Sequence, residues 1–469
     1  MIRNIIITFF IIFSFINSAI AEIDIVYPTS KELTINAAST FFIGNTDYGS
    51  NFSINSEPVK LWNNNFFVKV VPLKYGINEI KLKSVHNGKT DEIIYKINRN
   101  KPKNNDNKSL PYKPKNQDEI IYTKVIKENA TVREKPSQNS KRIVDLPLNV
   151  ILYIEGQKGD YYKIEEKGSS EYWIHKSNIK EPVKLSKKIK AKYKGQKFYS
   201  DDLYNYNKIY LSHPVLFEAK QNGNKVELTL YGVETKNKDG TIQNNYKHIF
   251  EFDGSLIAYD CYYENNTFIF RTVKTPKDIN ENCPLKGINI FIDAGHGGNE
   301  KGAVGPTRIN EKDINLEISN FLVQLLKNSG ANVITSRTED VKVGLYERVN
   351  IAKQNNALIS ISIHNNSLPN GKDPYVNHGT EVHYYNENAK LLAEIINKNL
   401  ALDLNLKDNG IHKSSFALTR STNPISVLVE VAYMINPEEY ILLQNAQFQK
   451  NVAKSIKKSI ENYIIMIKK

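Results

Sequence analysis

The chain has 469 residues, too many for one hydrophobic core, so about two to four domains are expected. Hydrophobic residues make up 40% of it, which excludes a disordered polymer. The formal net charge of +13 suits an anionic neighbour such as an acidic cell-wall polymer, an anionic lipid or nucleic acid. Lysine is spread along the chain without a dense arginine block or a nucleic-acid motif, so no nucleic acid is expected as a partner.

At the N-terminus Arg3 precedes an apolar run from Ile5 to Ile16, broken only by Thr8 and Ser14. Ala19-Ile20-Ala21 is a small-x-small cleavage site. The run falls short of the ~20 residues a bilayer requires. Residues 1–21 therefore read as a secretory signal, with Glu22 the first mature residue and an uncleaved anchor the alternative. No stable membrane insertion is expected after its removal, because no later segment could span. The mature chain is expected to be exported, to the periplasm, the cell envelope or the outside. Cys261 and Cys283 could form one disulfide in that setting, and two cysteines are too few for a structural zinc site.

Residues 22–99 alternate in short runs such as Phe66-Phe67-Val68-Lys69-Val70, separated by turn signals such as Tyr75-Gly76 and Asn87-Gly88. This pattern implies a β-sandwich and resembles the immunoglobulin-like modules of bacterial surface proteins. Residues 100–117 are Lys, Asn and Pro with almost nothing apolar, a linker. Residues 118–182 are again strand-rich. Ala130-Thr131-Val132-Arg133-Glu134-Lys135-Pro136 and Tyr172-Trp173-Ile174-His175 resemble a bacterial SH3-like module, which implies a wall-binding role. Trp173 and the tyrosines could equally be core. Residues 190–285 read as a further small β domain of unknown role.

From Gly287 the texture changes to alternating strands and helices, an α/β domain over 286–469 with a mostly parallel sheet flanked by helices. The apolar run Ile288–Ile292 is a buried strand. Ile314, Ile318, Phe321, Leu322, Leu325 and Leu326 fall on one helical face, with Asp313 as N-cap and Gly330 as stop. Further strands are expected at Asn332–Ser336, Ala357–His364, Thr380–Tyr385 and Ser426–Val431. Helices are expected through Tyr346, Val349 and Ile351, across Leu391–Leu404 and from Ala446 to Ile465.

Two of these strands deliver a histidine at the carboxyl end, where sites form in α/β sheets. Asp293-Ala294-Gly295-His296-Gly297-Gly298 supplies His296, and Ser362-Ile363-His364-Asn365-Asn366 supplies His364. Glu311 lies just before the first helix. Glu430 ends the apolar strand Ile425–Glu430, where an unpaired charge is costly to bury. Two histidines at strand ends suggest a metal. Taken singly, each residue has a plainer reading: a hydrogen-bonded histidine, a helix-start charge at Glu311, or Glu430 paired with an arginine such as Arg348. Three protein ligands would leave zinc one open position. Bound zinc lowers the pKa of water from about 15.7 to about 7. A carboxylate off the metal that moves the proton contributes roughly 10²–10⁴-fold.

Residues 287–465 resemble the zinc-dependent N-acetylmuramoyl-L-alanine amidases. The motifs above recur in family order with Gly302-Ala303, Gly305, Glu311-Lys312-Asp313, Thr335-Ser336-Arg337-Thr338, Leu345-Tyr346-Glu347-Arg348, Val427-Leu428-Val429-Glu430 and Asn436-Pro437. The resemblance implies zinc held by His296, Glu311 and His364, Glu430 as catalytic acid/base, and peptidoglycan as substrate. The bond cut would be the amide joining N-acetylmuramic acid to L-alanine. Ala294 stands where proline is common, and Ser336 separates Thr335 from Arg337. Residues 367–378 are too short for the zinc-covering insertion of regulated members. His378, His383 and His412 are expected to be non-ligands. Two other functions remain open: a wall-binding scaffold with an inactive amidase-like domain, and a zinc peptidase acting on protein.

Overall fold

The computed structural model describes residues 22–63, 65–101, 111–116, 118–165, 171–236, 241–252, 257–276 and 279–468. The expected signal and most of the expected linker lie outside them.

The chain's C-terminal part is built on a six-stranded sheet. Its strands are β1 (Asn289–Ala294), β2 (Asn332–Thr335), β3 (Ile359–Asn366), β4 (Thr380–Tyr384), β5 (Asp408–Lys413) and β6 (Ile425–Tyr433), in the order β2-β1-β3-β6-β4-β5. β1, β2, β3 and β6 run parallel, and β4 lies antiparallel to β6. The helices are α1 (Glu311–Asn328), α2 (Leu345–Gln354), α3 (Glu387–Leu404), α4 (Pro437–Leu443) and α5 (Ala446–Lys468).

Strand alternation separates two layers. Ile290, Ile292, Ile361 and Ile363 enter one large core with Ile314, Ile318, Leu322 and Leu326 of α1 and the apolar faces of α3 and α5. Phe291 points the other way, into a small cluster with Ile351 and Ala352 of α2. Each fully buried isoleucine here stabilises the fold by about 1.5–3 kcal/mol. The α2 side is the thinner layer, and His364 and Glu430 lie toward the carboxyl ends of β3 and β6.

The expected elements are present with shifted ends. α1 begins at Glu311, with Asn310 in extended conformation as its N-cap, so Asp313 is not the cap. Glu311 is thus the first helical residue and not part of the preceding turn. β3 continues past His364 to Asn366, and β6 runs on to Tyr433. β5 and α4 were not anticipated: Asp408–Lys413 carries few apolar residues, and α4 has only seven residues. Cys261 and Cys283 are both free thiols, so the considered disulfide is not formed.

The strand-rich N-terminal part forms two facing sheets. One pairs Ile23–Tyr27, Ser39–Thr46 and Phe66–Pro72; the other is five-stranded. They share a core of Phe42, Phe52, Phe67, Ile80, Leu82 and Ile97. An eight-stranded sheet over residues 113–185 and a seven-stranded sheet over 191–273 follow. One apolar cluster runs through both, from Val132 and Ile174 to Leu228 and Phe268. Tyr161, Tyr172 and Trp173 are buried, which favours a packing role for these aromatics over ligand contact. Among the described residues no helix is long and apolar enough to cross a membrane.

Candidate metal and catalytic site

β1 ends in a tight turn that two buried arginines hold by its carbonyls. The Arg337 guanidinium donates to the oxygens of Ala294 (2.9 Å) and Gly295 (3.0 Å). Arg348 donates to Ala294 (2.8 Å) and His296 (2.7 Å). Arg348 also pairs with the buried Asp293, whose second oxygen accepts from Ser362 Oγ at 2.6 Å. Arg348 is therefore the partner of Asp293, and not of Glu430. Removing one member of a buried pair leaves the other charge uncompensated. Arg348→Ala is expected to cost about 3–5 kcal/mol, read from the denaturant midpoint at constant slope; a midpoint like wild type would show that Asp293 finds another partner.

Three side chains converge beyond the turn. Glu311 Oε2 lies 3.2 Å from His296 Nε2, and Glu311 Oε1 lies 2.9 Å from His364 Nδ1. One ligating atom from each of the three lies within 4.8 Å of the others. The imidazole rings stand edge to face, 4.8 Å between centroids. Space for this comes from two glycines. A Cβ on Gly295 would sit 2.4 Å from the His364 ring. Gly302 has φ +68°, and a Cβ there would lie 2.3 Å from Glu311 Oε2 and 2.7 Å from the His296 ring. Neither position accepts a side chain without moving a candidate ligand.

Glu311 is almost wholly buried, and its remaining hydrogen-bonding capacity is filled. Ala303 N–H donates to Oε2 (2.8 Å), while Asn365 N–H (3.2 Å) and Asn315 Nδ2 (3.1 Å) donate to Oε1. Asn315 is itself fixed, accepting from Asn365 Nδ2 at 2.8 Å. Burial works against the charge, but the hydrogen bonds to His296 and His364 outweigh it and hold the carboxyl well below its usual range. The site thus keeps an ionised carboxylate between two imidazoles, a donor set suited to zinc.

Glu430 is the cross-strand neighbour of His364 in the parallel pair β3–β6. One of its oxygens, Oε2, is buried and has no hydrogen-bond partner among the described residues. Burial first, then the nearby carboxylates of Glu311 and Glu381, pushes its carboxyl well above the ordinary range. An orphaned buried oxygen of this kind calls for a partner that the described residues do not supply.

Sequence reasoning passed over Glu381. It sits opposite Glu430 in the antiparallel pair β6–β4. It accepts from Asn366 Nδ2 (2.8 Å) and the Tyr433 hydroxyl (3.3 Å), and it lies 3.1 Å from His383 Nε2. Only strand register reveals this neighbour. The arginines Arg337 and Arg348 were visible as motif residues, yet nothing in the chain showed that they grip the His296 turn. Of the other late histidines, His378 lies 2.8 Å from Glu439 Oε1. His412 lies 3.7 Å from Glu381 Oε2. Residues 367–378 carry no helix.

Comparison with known proteins matches the same region. The sequence profile of the N-acetylmuramoyl-L-alanine amidases matches residues 290–462. The protein YqiI of Bacillus subtilis (strain 168) is 36% identical over 38% of this chain and 86% of its own length. The germination-specific N-acetylmuramoyl-L-alanine amidase of the same organism is 33% identical over 38% of this chain and 81% of its own length. The N-acetylmuramoyl-L-alanine amidase LytC, also from that organism, is 35% identical, but the match spans only 36% of its length. Through its C-terminal part, the chain belongs to the N-acetylmuramoyl-L-alanine amidase family.

Proposed function

We propose that the protein is an exported, zinc-dependent hydrolase that cleaves the amide between N-acetylmuramic acid and L-alanine in peptidoglycan. The observation that carries this reading is the meeting of two imidazoles and one carboxylate, with ligating atoms within 4.8 Å, beside a buried and unpartnered Glu430 oxygen. His296, Glu311 and His364 would hold the metal. Zinc there supplies Lewis-acid chemistry, polarising the scissile carbonyl and making water acidic enough to lose a proton near neutral pH. Glu430 takes that proton at a carboxylate oxygen and passes it to the leaving amine. Burial and the neighbouring carboxylates raise its pKa above the ordinary carboxylate range, so it holds a proton more readily than an exposed glutamate.

The preceding regions are proposed as an immunoglobulin-like module (22–99), an SH3-like module (118–182) and a further β module (190–285), behind a signal at 1–21 and a linker at 100–117. Weak contacts to an anionic wall gain from being tethered to the enzyme, and the net charge of +13 favours them. Mass spectrometry of peptidoglycan digested by the purified chain tests the bond assignment. Stem peptides released with a free L-alanine amine are expected; cleavage elsewhere in the stem, or of casein instead, would replace this reading with a peptidase.

Gly302→Ala probes the metal set without replacing a ligand. The added methyl group must displace Glu311 or His296. Zinc affinity is expected to fall about 10–100-fold, the size typical of groups that orient ligands. An unchanged dissociation constant, measured by chelator competition, would mean that the loop relaxes freely.

A further inference from the structure

The N-terminal sheet is seated on the loops that carry the site. A separate apolar cluster joins Val26, Phe41, Ile43 and Val68 of that sheet to Ile435, with Val304 and Leu368 packed against it. Val304 lies between His296 and Glu311, Leu368 follows His364 by four residues, and Ile435 follows Glu430 by five. Each loop adjoining a site residue therefore contributes one apolar side chain to the same contact.

Polar contacts repeat the pattern. Arg308, in the loop joining His296 to Glu311, has φ +65° and makes a two-pronged pair with Asp24, with Nε to Oδ2 at 2.7 Å. Asn45 Nδ2 donates to the Pro306 carbonyl at 3.1 Å. In the loop after His364, Asn370 accepts from Thr40 Oγ1 at 2.8 Å and donates to the Tyr27 hydroxyl. The Tyr375 hydroxyl donates to the Val68 carbonyl at 2.8 Å.

We infer that the N-terminal sheet is an intramolecular brace that sets zinc affinity by holding these loops in the ligating arrangement, with Asp24 and Arg308 as positioning residues. The inference rests on the metal reading given above. Without the brace, ordering the loop between His296 and Glu311 would have to be offset by metal binding itself, which lowers apparent affinity. Asp24 and Arg308 are partly exposed, with side chains 33% and 57% accessible, so substituting them leaves the cores intact. An exposed pair of this kind adds little to global stability, which separates positioning from folding.

The test uses the full chain with Asp24→Arg, Arg308→Asp and the double exchange. Zinc affinity is read by chelator competition and thermal stability is followed in parallel. Each single variant is expected to bind zinc about tenfold more weakly at nearly unchanged stability, and the double exchange to return within about threefold of wild type. Wild-type affinity in both single variants would overturn the brace alone. A loss that the double exchange leaves in place would also overturn it, since pairing would then not be the cause. A wild-type chain that binds no zinc would overturn the metal reading, and the brace with it.

Discussion

Glu430→Gln is expected to keep zinc bound and to lose roughly 10²–10⁴-fold in turnover, the usual contribution of a positioned proton-transfer group. Glutamine preserves the shape of the side chain but cannot carry a proton between water and the leaving amine. KM should change less than kcat, because the interaction lost is one made in the transition state. The same substitution should stabilise the metal-free chain at neutral pH. Burial and two neighbouring carboxylates raise the Glu430 carboxyl above its ordinary value of 4.5. A raised acid contributes its stability fully below its unfolded value and loses it as pH rises through the folded value. The melting temperatures of metal-free wild type and Glu430→Gln should therefore converge near pH 4 and separate toward neutrality, with the variant higher. Unchanged turnover would remove Glu430 from the mechanism, and parallel melting curves would show that its charge is already compensated.

Those two effects pull in opposite directions at one residue, and that opposition explains how the site could be read from sequence at all. A glutamate ending the apolar run Ile425–Val429 violates the local rule for a buried strand, and such violations mark functional positions. His296 stood out in the same way, one imidazole in a run of glycines. What the chain could not disclose was lateral placement. Glu381 sits on a strand that runs antiparallel to β6, and nothing along the sequence says that it faces Glu430. Arg337 and Arg348 act on backbone carbonyls 42 to 54 positions away, a relation without side-chain periodicity. The N-cap of α1 was misplaced because Asp313 and Asn310 are both good caps, and the bond from Glu311 N–H to the Ala303 carbonyl, which starts the helix early, is a tertiary contact. Fold class followed from strand–helix alternation; the docking of the N-terminal sheet onto the site loops had no local signal, since Val304, Leu368 and Ile435 are scattered single residues.

His296→Ala is expected to abolish stable zinc binding and, with it, turnover. A three-ligand set reduced to Glu311 and His364 loses more than the 10–100-fold that follows from disturbing a supporting group, because a direct donor is gone. Glu311 would remain buried with His364, Asn315 and two backbone amides as partners, so the fold should survive the change. Added zinc at moderate excess should not restore turnover. Chelation of the wild type should give the same inactive state, and zinc should reverse it. Metal analysis of the purified variant is the deciding measurement, and full occupancy would remove His296 from the ligand set. Beside Glu430→Gln the comparison is sharper still. One variant is expected to lose the metal and the other to keep it, while both lose activity. That crossed result is what a site with separate holding and proton-moving groups must give; a purely structural cluster, in which both residues serve only packing, would show equal metal content and a common loss of stability instead.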